Sequence, residues 1–361
     1  MTNVVYFIAD RNFLPLALAN AGVLARQVPR NFDVVIFYED SAPIPFQIPA
    51  GVEVISQALM RSVPDAAKGT EIFKRVNWAY LYAPFVLRDR YRRGLCCDAD
   101  TGFFGPVGRI FELDLQGSPL AGASDPMRYL PSCLSAQVEA SGVRNGRYAN
   151  AGVLLIDIEA WCRNDITALV TSYCSRYDTA FADQDFLNFT FQDSWLEISP
   201  RWNFLSILVP FGMDPIIDPL IYHYVTPARP WNEDAPPFAS FHRRYFEDAM
   251  AAVAGPSFLD GFGRRLPLGR KLELAVTNRL YNMPGFLHRK RKQYESWAQQ
   301  YRAFYAYLET GLAEARFADV NQGLSKIDLA TAKREPPAMH QTVYRHGRIV
   351  GELSRVDRSA G

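Results

Sequence analysis

A chain of 361 residues, 48% hydrophobic and 21% charged, holds enough apolar material for one large domain with an appendage, or for two of moderate size. Its formal net charge of +1 provides no global field for nucleic acid, so no nucleic-acid partner is expected. The five cysteines are odd in number and lack C-x-x-C spacing, so buried thiols in a reducing compartment are expected rather than disulfides or a zinc site.

The first element is the all-apolar run Val4 to Ile8, ended by Asp10. No cationic residue precedes it, so it reads as a buried strand and not as a signal peptide. No uninterrupted apolar stretch reaches the length of a bilayer crossing, and the cytoplasm is the expected location. Leu14, Leu18, Ala21 and Leu24 then share one face of a helix. Val34 to Tyr38 and Val52 to Ile55 are further strand candidates. Trp78 to Leu87 has helical character disturbed by Pro84. Gly94 to Cys97 enters another strand and ends in Asp98-Ala99-Asp100, and Val153 to Asp157 and Leu220 to Val225 are strand-like. Apolar strands alternating with helices predict an α/β fold with a mostly parallel sheet covered on both faces.

From about Pro236 the texture changes, which divides the chain into a domain over 1–235 and an extension over 236–361. Between Phe262 and Arg302 ten Lys/Arg stand against two Glu, with Tyr281, Phe286, Tyr294 and Trp297 interleaved. Two readings stay open for this stretch: a surface that sits on anionic lipid, or a solvated basic face. A helix is expected through Trp297, Tyr301, Phe304, Leu308 and Leu312, and the polar residues after 333 are expected to fray.

Asp98 and Asp100 are two apart at the carboxyl end of a strand, so both carboxylates can face one hard cation, Mg²⁺ or Mn²⁺, that bridges diphosphate oxygens. The pattern alone is weak, since Asp183-Gln184-Asp185 repeats it and a solvated turn explains either copy. Likewise His223, alone in Ile221-Tyr222-His223-Tyr224, reads by itself as a satisfied core or surface residue rather than a ligand.

Several segments, in order, resemble glycosyltransferase family 8. They are Tyr6 to Asn12, Cys97 to Thr101, Phe111 to Leu115, Asn150 to Asp157 with Trp161, Asp183 to Asn188, and His223-Tyr224 followed by Pro230-Trp231. The resemblance covers roughly the first 235 residues. It implies a GT-A-type, Rossmann-like mixed sheet flanked by helices, here with an α-helical C-terminal extension. It implies a metal site of Asp98, Asp100 and His223, and two carboxylates with one imidazole favour Mn²⁺ over Mg²⁺. It places Asp10 and Asn12 at the nucleotide of a UDP-sugar, although Asp10 also reads as a helix cap. Asp125 and Asn150 fall at donor-sugar hydroxyls, Asp183 and Gln184 nearest the anomeric carbon, and Arg229 where a lysine usually faces the diphosphate. In three places the chain departs from the family: Tyr80 stands where an arginine is common, Thr226 where a glycine follows the histidine, and Cys97 where a bulky apolar residue precedes the acidic pair.

The implied reaction is retaining hexosyl transfer to a hydroxyl of a glycan or lipid-linked acceptor, of the lipopolysaccharide or exopolysaccharide type. Gln184 is a poor nucleophile, which favours same-face attack over double displacement. Peripheral attachment to the inner face of the cell membrane goes with the lipid reading of 262–302. Two rivals remain at this level: a phosphohydrolase resembling the haloacid dehalogenases, on the strength of Asp98-Ala99-Asp100-Thr101, and a non-catalytic sugar-nucleotide-binding module.

Overall fold

A computed structural model of the protein describes residues 2–69, 74–126, 138–177, 181–226, 229–231, 233–234, 238, 240–254, 264–265, 268–269, 272, 276 and 288–332. The expected fraying after 333 and most of the basic stretch lie outside the described residues.

Ten strands position the site: β1 Asn3–Ala9, β2 Asp33–Tyr38, β3 Val52–Ser56, β4 Arg93–Cys97, β5 Thr101–Phe103, β6 Leu120–Ser124, β7 Ala149–Asp157, β8 Trp195–Ile198, β9 Phe204–Leu205 and β10 Ile221–His223. Seven of them form one sheet in the order β3-β2-β1-β4-β7-β6-β8. All run the same way except β7, which is antiparallel to both β4 and β6. The expected mixed, mostly parallel sheet is therefore present. A second sheet, β5-β10-β9, carries His223 back toward the end of β4.

Side chains alternate across β1 and divide the core in two. Val5 and Phe7 pack with Leu14, Ala17 and Leu18 of the helix Leu14–Ala25. Val4 and Tyr6 pack with Trp78, Leu81, Trp161 and Phe186 on the opposite face. The helix His288–Ala313 joins the first of these clusters through Trp297, Tyr301, Phe304 and Leu308, and Trp297 stacks on Phe211 with centroids 5.6 Å apart. Burying those rings is the apolar gain that docks this helix.

The helical reading of Trp78 to Leu87 resolves into a 3-10 helix, Arg75–Tyr82, followed by a short α-helix, Ala83–Leu87. Pro84 has no N–H to bond back into the preceding turn and sits in the first turn of the second helix, where none is needed. Strand β6 is absent from the sequence reading: Ala121-Gly122-Ala123-Ser124 carries no branched or aromatic residue, and its place comes from pairing with β7 and β8. Among the described residues no helix is long and apolar enough to cross a membrane.

Candidate active site

The site begins at the carboxyl end of β4. Phe7 of β1 is in register with Cys97, so Asp10 and Asp98 both emerge at the same edge of the sheet. Just past β4 the chain turns sharply: the Thr101 hydroxyl and backbone N–H both donate to the Asp98 carbonyl, at 2.8 and 3.3 Å. Asn20, wholly buried on the first helix, clamps this turn by donating to the carbonyls of Ala99 at 3.0 Å and Thr101 at 2.8 Å. Its own oxygen accepts from Tyr245, whose hydroxyl oxygen accepts from the Phe103 N–H.

His223 reaches the turn because β10 pairs antiparallel with β5, with His223 opposite Thr101, and the Tyr224 N–H donates to the Asp100 carbonyl at 2.9 Å. The imidazole Nε2 then lies 3.4 Å from Asp98 Oδ2 and 3.4 Å from Asp100 Oδ1. One ligand atom from each of the three residues falls within 4.8 Å of the others. Arg229 places a guanidinium nitrogen 3.2 Å from Asp100 Oδ2 and lies over the Trp231 ring.

Burial opposes charge on Asp100, but the His223 hydrogen bond and then Arg229 outweigh it and hold this carboxyl below the usual range. Burial likewise works against a charged imidazole, yet hydrogen bonds to Asp100 and Asp98 raise His223 to about 9. Its ring is buried, whereas the Asp98 side chain is 53% exposed, so the cluster opens outward on the Asp98 side. Two carboxylates and an imidazole aimed at one point fit a divalent cation of borderline hardness.

Beside the acidic pair sits a second group. The Asn150 amide nitrogen donates to Asp125 Oδ2 at 3.0 Å and to Gln184 Oε1 at 3.2 Å. Gln184 Oε1 also accepts from the Ala151 N–H at 2.9 Å, and its own amide nitrogen donates to Asp125 Oδ2 at 3.3 Å. The helix Asp183–Thr190 supplies Asp183 and Gln184 from its first turn, after Ala182 at φ 46, a left-handed backbone that costs a non-glycine residue roughly 1 kcal/mol or more. Burial, then the charge of Asp98, push Asp183 well above the usual carboxylate range.

Asn150 joins the two groups, since its oxygen lies 3.2 Å from His223 Nδ1. The structure thus gathers Asp98, Asp100, His223 and Arg229 on one side and Asp125, Asn150 and Gln184 on the other, with Asp183 close enough to feel Asp98. Asp10 and Asn12 stand apart along the same sheet edge. Asp10 Oδ1 accepts from the backbone of Asn12 at 2.9 Å and Phe13 at 3.1 Å, closing the turn that precedes the helix, whose N-cap is Phe13 and not Asp10, and Oδ2 is paired with Lys74 at 2.8 Å. Burial raises Asp10 less than Lys74 and these two N–H groups lower it, and its carboxyl sits below the usual range. The two cations before Tyr80 have partners of their own: Lys74 pairs with Asp10, and Arg75 with the Val63 carbonyl and Asp65. Thr226 is buried with its hydroxyl 3.3 Å from that of Ser206.

Three residues of the site escaped the sequence reading of roles: Asn20, Asn203 and Gly152. Their parts depend on contacts with residues far away in the chain; Gly152 falls in the resembling segment Asn150 to Asp157, but what it packs against is shown only by the fold.

Known proteins resemble this chain in sequence and in fold. General stress protein A of Bacillus subtilis (strain 168) is 24% identical over 185 residues, covering 47% of this chain and 63% of that protein. Glycosyltransferase GlyF of Streptococcus pneumoniae serotype 4 (strain ATCC BAA-334 / TIGR4) is 24% identical over 245 residues, covering 64% of this chain and 58% of GlyF. The chain therefore spans less than two thirds of the length of these curated relatives. Among solved structures, an active-site mutant of LgtC superposes with a TM-score of 0.60 at 20% identity, over 72% of this chain and 99% of that one. The galactosyltransferase LgtC in complex with donor and acceptor sugar analogues gives 0.57 at 18% identity, over 75% and 100%. These likenesses are of fold, and the fold is GT-A type. The family model described as Glycosyl transferase family 8 matches residues 5–235, well over half of the sequence, and the chain belongs to glycosyltransferase family 8.

Proposed function

We propose that the protein transfers a hexose from a UDP-sugar to a hydroxyl acceptor with retention of configuration, using a divalent cation, Mn²⁺ before Mg²⁺, held by Asp98, Asp100 and His223. The observation that carries this reading is the convergence of an imidazole from β10 on two carboxylates beyond β4. Asp98, Asp100 and His223 would hold the ion from the protein side, and an ion bound there would be open to the oxygens of a diphosphate. Such an ion, when bound, offsets the charge that grows on the departing diphosphate. Arg229 adds a fixed positive charge next to Asp100 for the same purpose.

Asp125 and Asn150 present buried polar atoms to the donor sugar, where a hydroxyl in the wrong orientation leaves them unpaired. Asp10 and Asn12 serve the uridine. Retention by same-face attack is supported by the state of the two residues nearest the anomeric carbon. Gln184 Oε1 already accepts two N–H groups and carries no charge, so it is a poor nucleophile. Charge on Asp183 is disfavoured by burial and by Asp98. In the same-face route the bond from the anomeric carbon to the phosphate oxygen breaks, the acceptor oxygen bonds to that carbon, and the acceptor proton passes to the departing phosphate. Asp98 faces His223 rather than standing alone as a nucleophile, which counts against the phosphohydrolase reading, and retention of all three ligand types counts against a mere binding module.

The acceptor is a glycan or lipid-linked glycan, and attachment to the inner membrane face through residues 262–302 is part of this proposal. Its support is the excess of ten Lys/Arg over two Glu and the exposure of Leu268, Leu272 and Val276 at four-residue spacing. Sedimentation with anionic vesicles at rising salt tests attachment, and failure to bind at low salt discards it. The function itself is tested by hydrolysis of UDP-galactose and UDP-glucose: turnover with Mn²⁺ that stops on adding EDTA is expected, and equal rates in both would refute it.

A further inference from the structure

Asn203 lies between the 3-10 helix Pro200–Trp202 and β9, and it is buried against the back of His223, away from the two acids. Its oxygen is 3.2 Å from His223 Nδ1, the same distance as the oxygen of Asn150. The orientation of each amide follows from its other partners. Asn150 Oδ1 accepts from the Gly152 N–H at 3.0 Å, so turning that amide over would set two donors against each other. Asn203 Nδ2 donates to Asn150 Oδ1 at 2.9 Å, so turning this one over would set two oxygens together. Both atoms facing Nδ1 are therefore acceptors without protons, and only an Nδ1–H satisfies them.

We propose that Asn203, acting with Asn150, is a positioning residue that holds the proton of His223 on Nδ1 and thereby leaves Nε2 as the lone-pair donor to a divalent cation. This rests on the metal-site reading above. It extends that reading from the three ligands to the shell that aims them, where loss of a partner commonly lowers metal affinity about 10–100-fold. The chemistry is economical: with the proton on Nε2 the ring would meet the cation with an N–H and repel it. The same Asn150 is hydrogen-bonded to Asp125 and Gln184, so the alignment of His223 is tied to the donor-sugar group.

Pulsed electron paramagnetic resonance on the Mn²⁺-loaded full chain reads the inference directly, because an imidazole ligand leaves a nitrogen coupling on the manganese signal. The wild type is expected to show that coupling. Asn203→Ala is expected to lose or weaken it and to bind Mn²⁺ about 10–100-fold less tightly by calorimetry, while its melting curve stays cooperative. A wild type without nitrogen coupling would remove His223 as a ligand, and the metal-site reading with it. A coupled wild type together with an Asn203→Ala variant of unchanged coupling and affinity would overturn the role of Asn203 alone. Should that variant not fold, ¹⁵N-histidine resonance on the zinc-loaded wild type decides: His223 protonated at Nδ1 is expected, and a proton on Nε2 overturns the inference.

Discussion

Gly152 lies directly against the ring of His223: a Cβ added to it would come within 2.0 Å of Cε1, 2.5 Å of Nδ1 and 2.9 Å of Asp98 Oδ2. Strand β7 brings it there, because Val153 is in register with Cys97 and the Asp98 N–H donates to the Gly152 carbonyl at 2.8 Å. The demand is for space, and two of the three residues of the candidate metal site, His223 and Asp98, are what fill it.

Gly152→Ala should therefore displace His223 while leaving the sheet in place. The overlap is local, so a stability loss of about 1–3 kcal/mol is expected. Turnover should fall at least about 100-fold, as misplacement of a catalytic group by an ångström commonly does. Melting curves and UDP-sugar hydrolysis on the same sample check both, and near-normal turnover would show that the ring does not need this seat.

Two buried groups, Asp214 and His242, act on the stability of the protein at acid pH in opposite directions. Burial raises Asp214 from 3.8 to about 6, against the hydrogen bond it accepts from Tyr222 at 2.8 Å. Burial lowers His242 from 6.5 to about 4. The folded state holds the Asp214 proton more tightly than the unfolded chain, so this group's contribution declines as pH rises from about 4 to about 6. The unfolded chain protonates His242 more readily, so that contribution is lost as pH falls from about 6.5 to about 4. Asp214→Asn keeps an acceptor for Tyr222 and removes the first slope. The variant should gain up to about 3 kcal/mol over the wild type at pH 7. Its melting temperature should also climb more steeply between pH 4 and 6, and parallel profiles for the two proteins would contradict the assignment.

Trp297 tests whether the helix His288–Ala313 is part of the catalytic core. Its ring stacks on Phe211 in the same cluster as Val5 and Phe7 of β1. Trp297→Ala should lower the stability of the whole protein by about 3–5 kcal/mol in a single denaturant transition. A separate early transition, with the main one unmoved, would mean that the helix is an independent appendage.

The clamp on the acidic turn gives a further expectation. Asn20→Leu keeps the volume but leaves the Ala99 and Thr101 carbonyls and the Tyr245 hydroxyl without their shared partner, at a cost of about 1–3 kcal/mol for each buried group left unpaired. Because those carbonyls flank Asp100, Mn²⁺ affinity should fall together with stability. Calorimetric titration on folded variant checks this, and unchanged affinity would confine Asn20 to a packing role.

How far the sequence could speak depends on the reach of each contact. Val4 to Ile8, Val34 to Tyr38 and Gly94 to Cys97 were readable as strands because a sheet covered on both faces demands unbroken apolar runs, and these are found as β1, β2 and β4. Strand β6 was not, since small residues carry no periodic signal. Asp98 and Asp100 were readable as a pair from their spacing. His223 lies more than a hundred residues further on and joined them only through the family resemblance, because the β5–β10 pairing that delivers it is non-local. Asn203 and Gly152 show the same limit: an amide and a glycine look ordinary until the fold sets them against an imidazole.

Asp98, Asp100 and His223 should hold one divalent cation between them. Anomalous diffraction from a crystal grown with Mn²⁺ and UDP tests it most directly. A single manganese peak bounded by Asp98 Oδ2, Asp100 Oδ1 and His223 Nε2, with diphosphate oxygens completing the shell, is the predicted result. Manganese bound through the diphosphate and other side chains, with the His223 ring outside its coordination shell, would contradict the account.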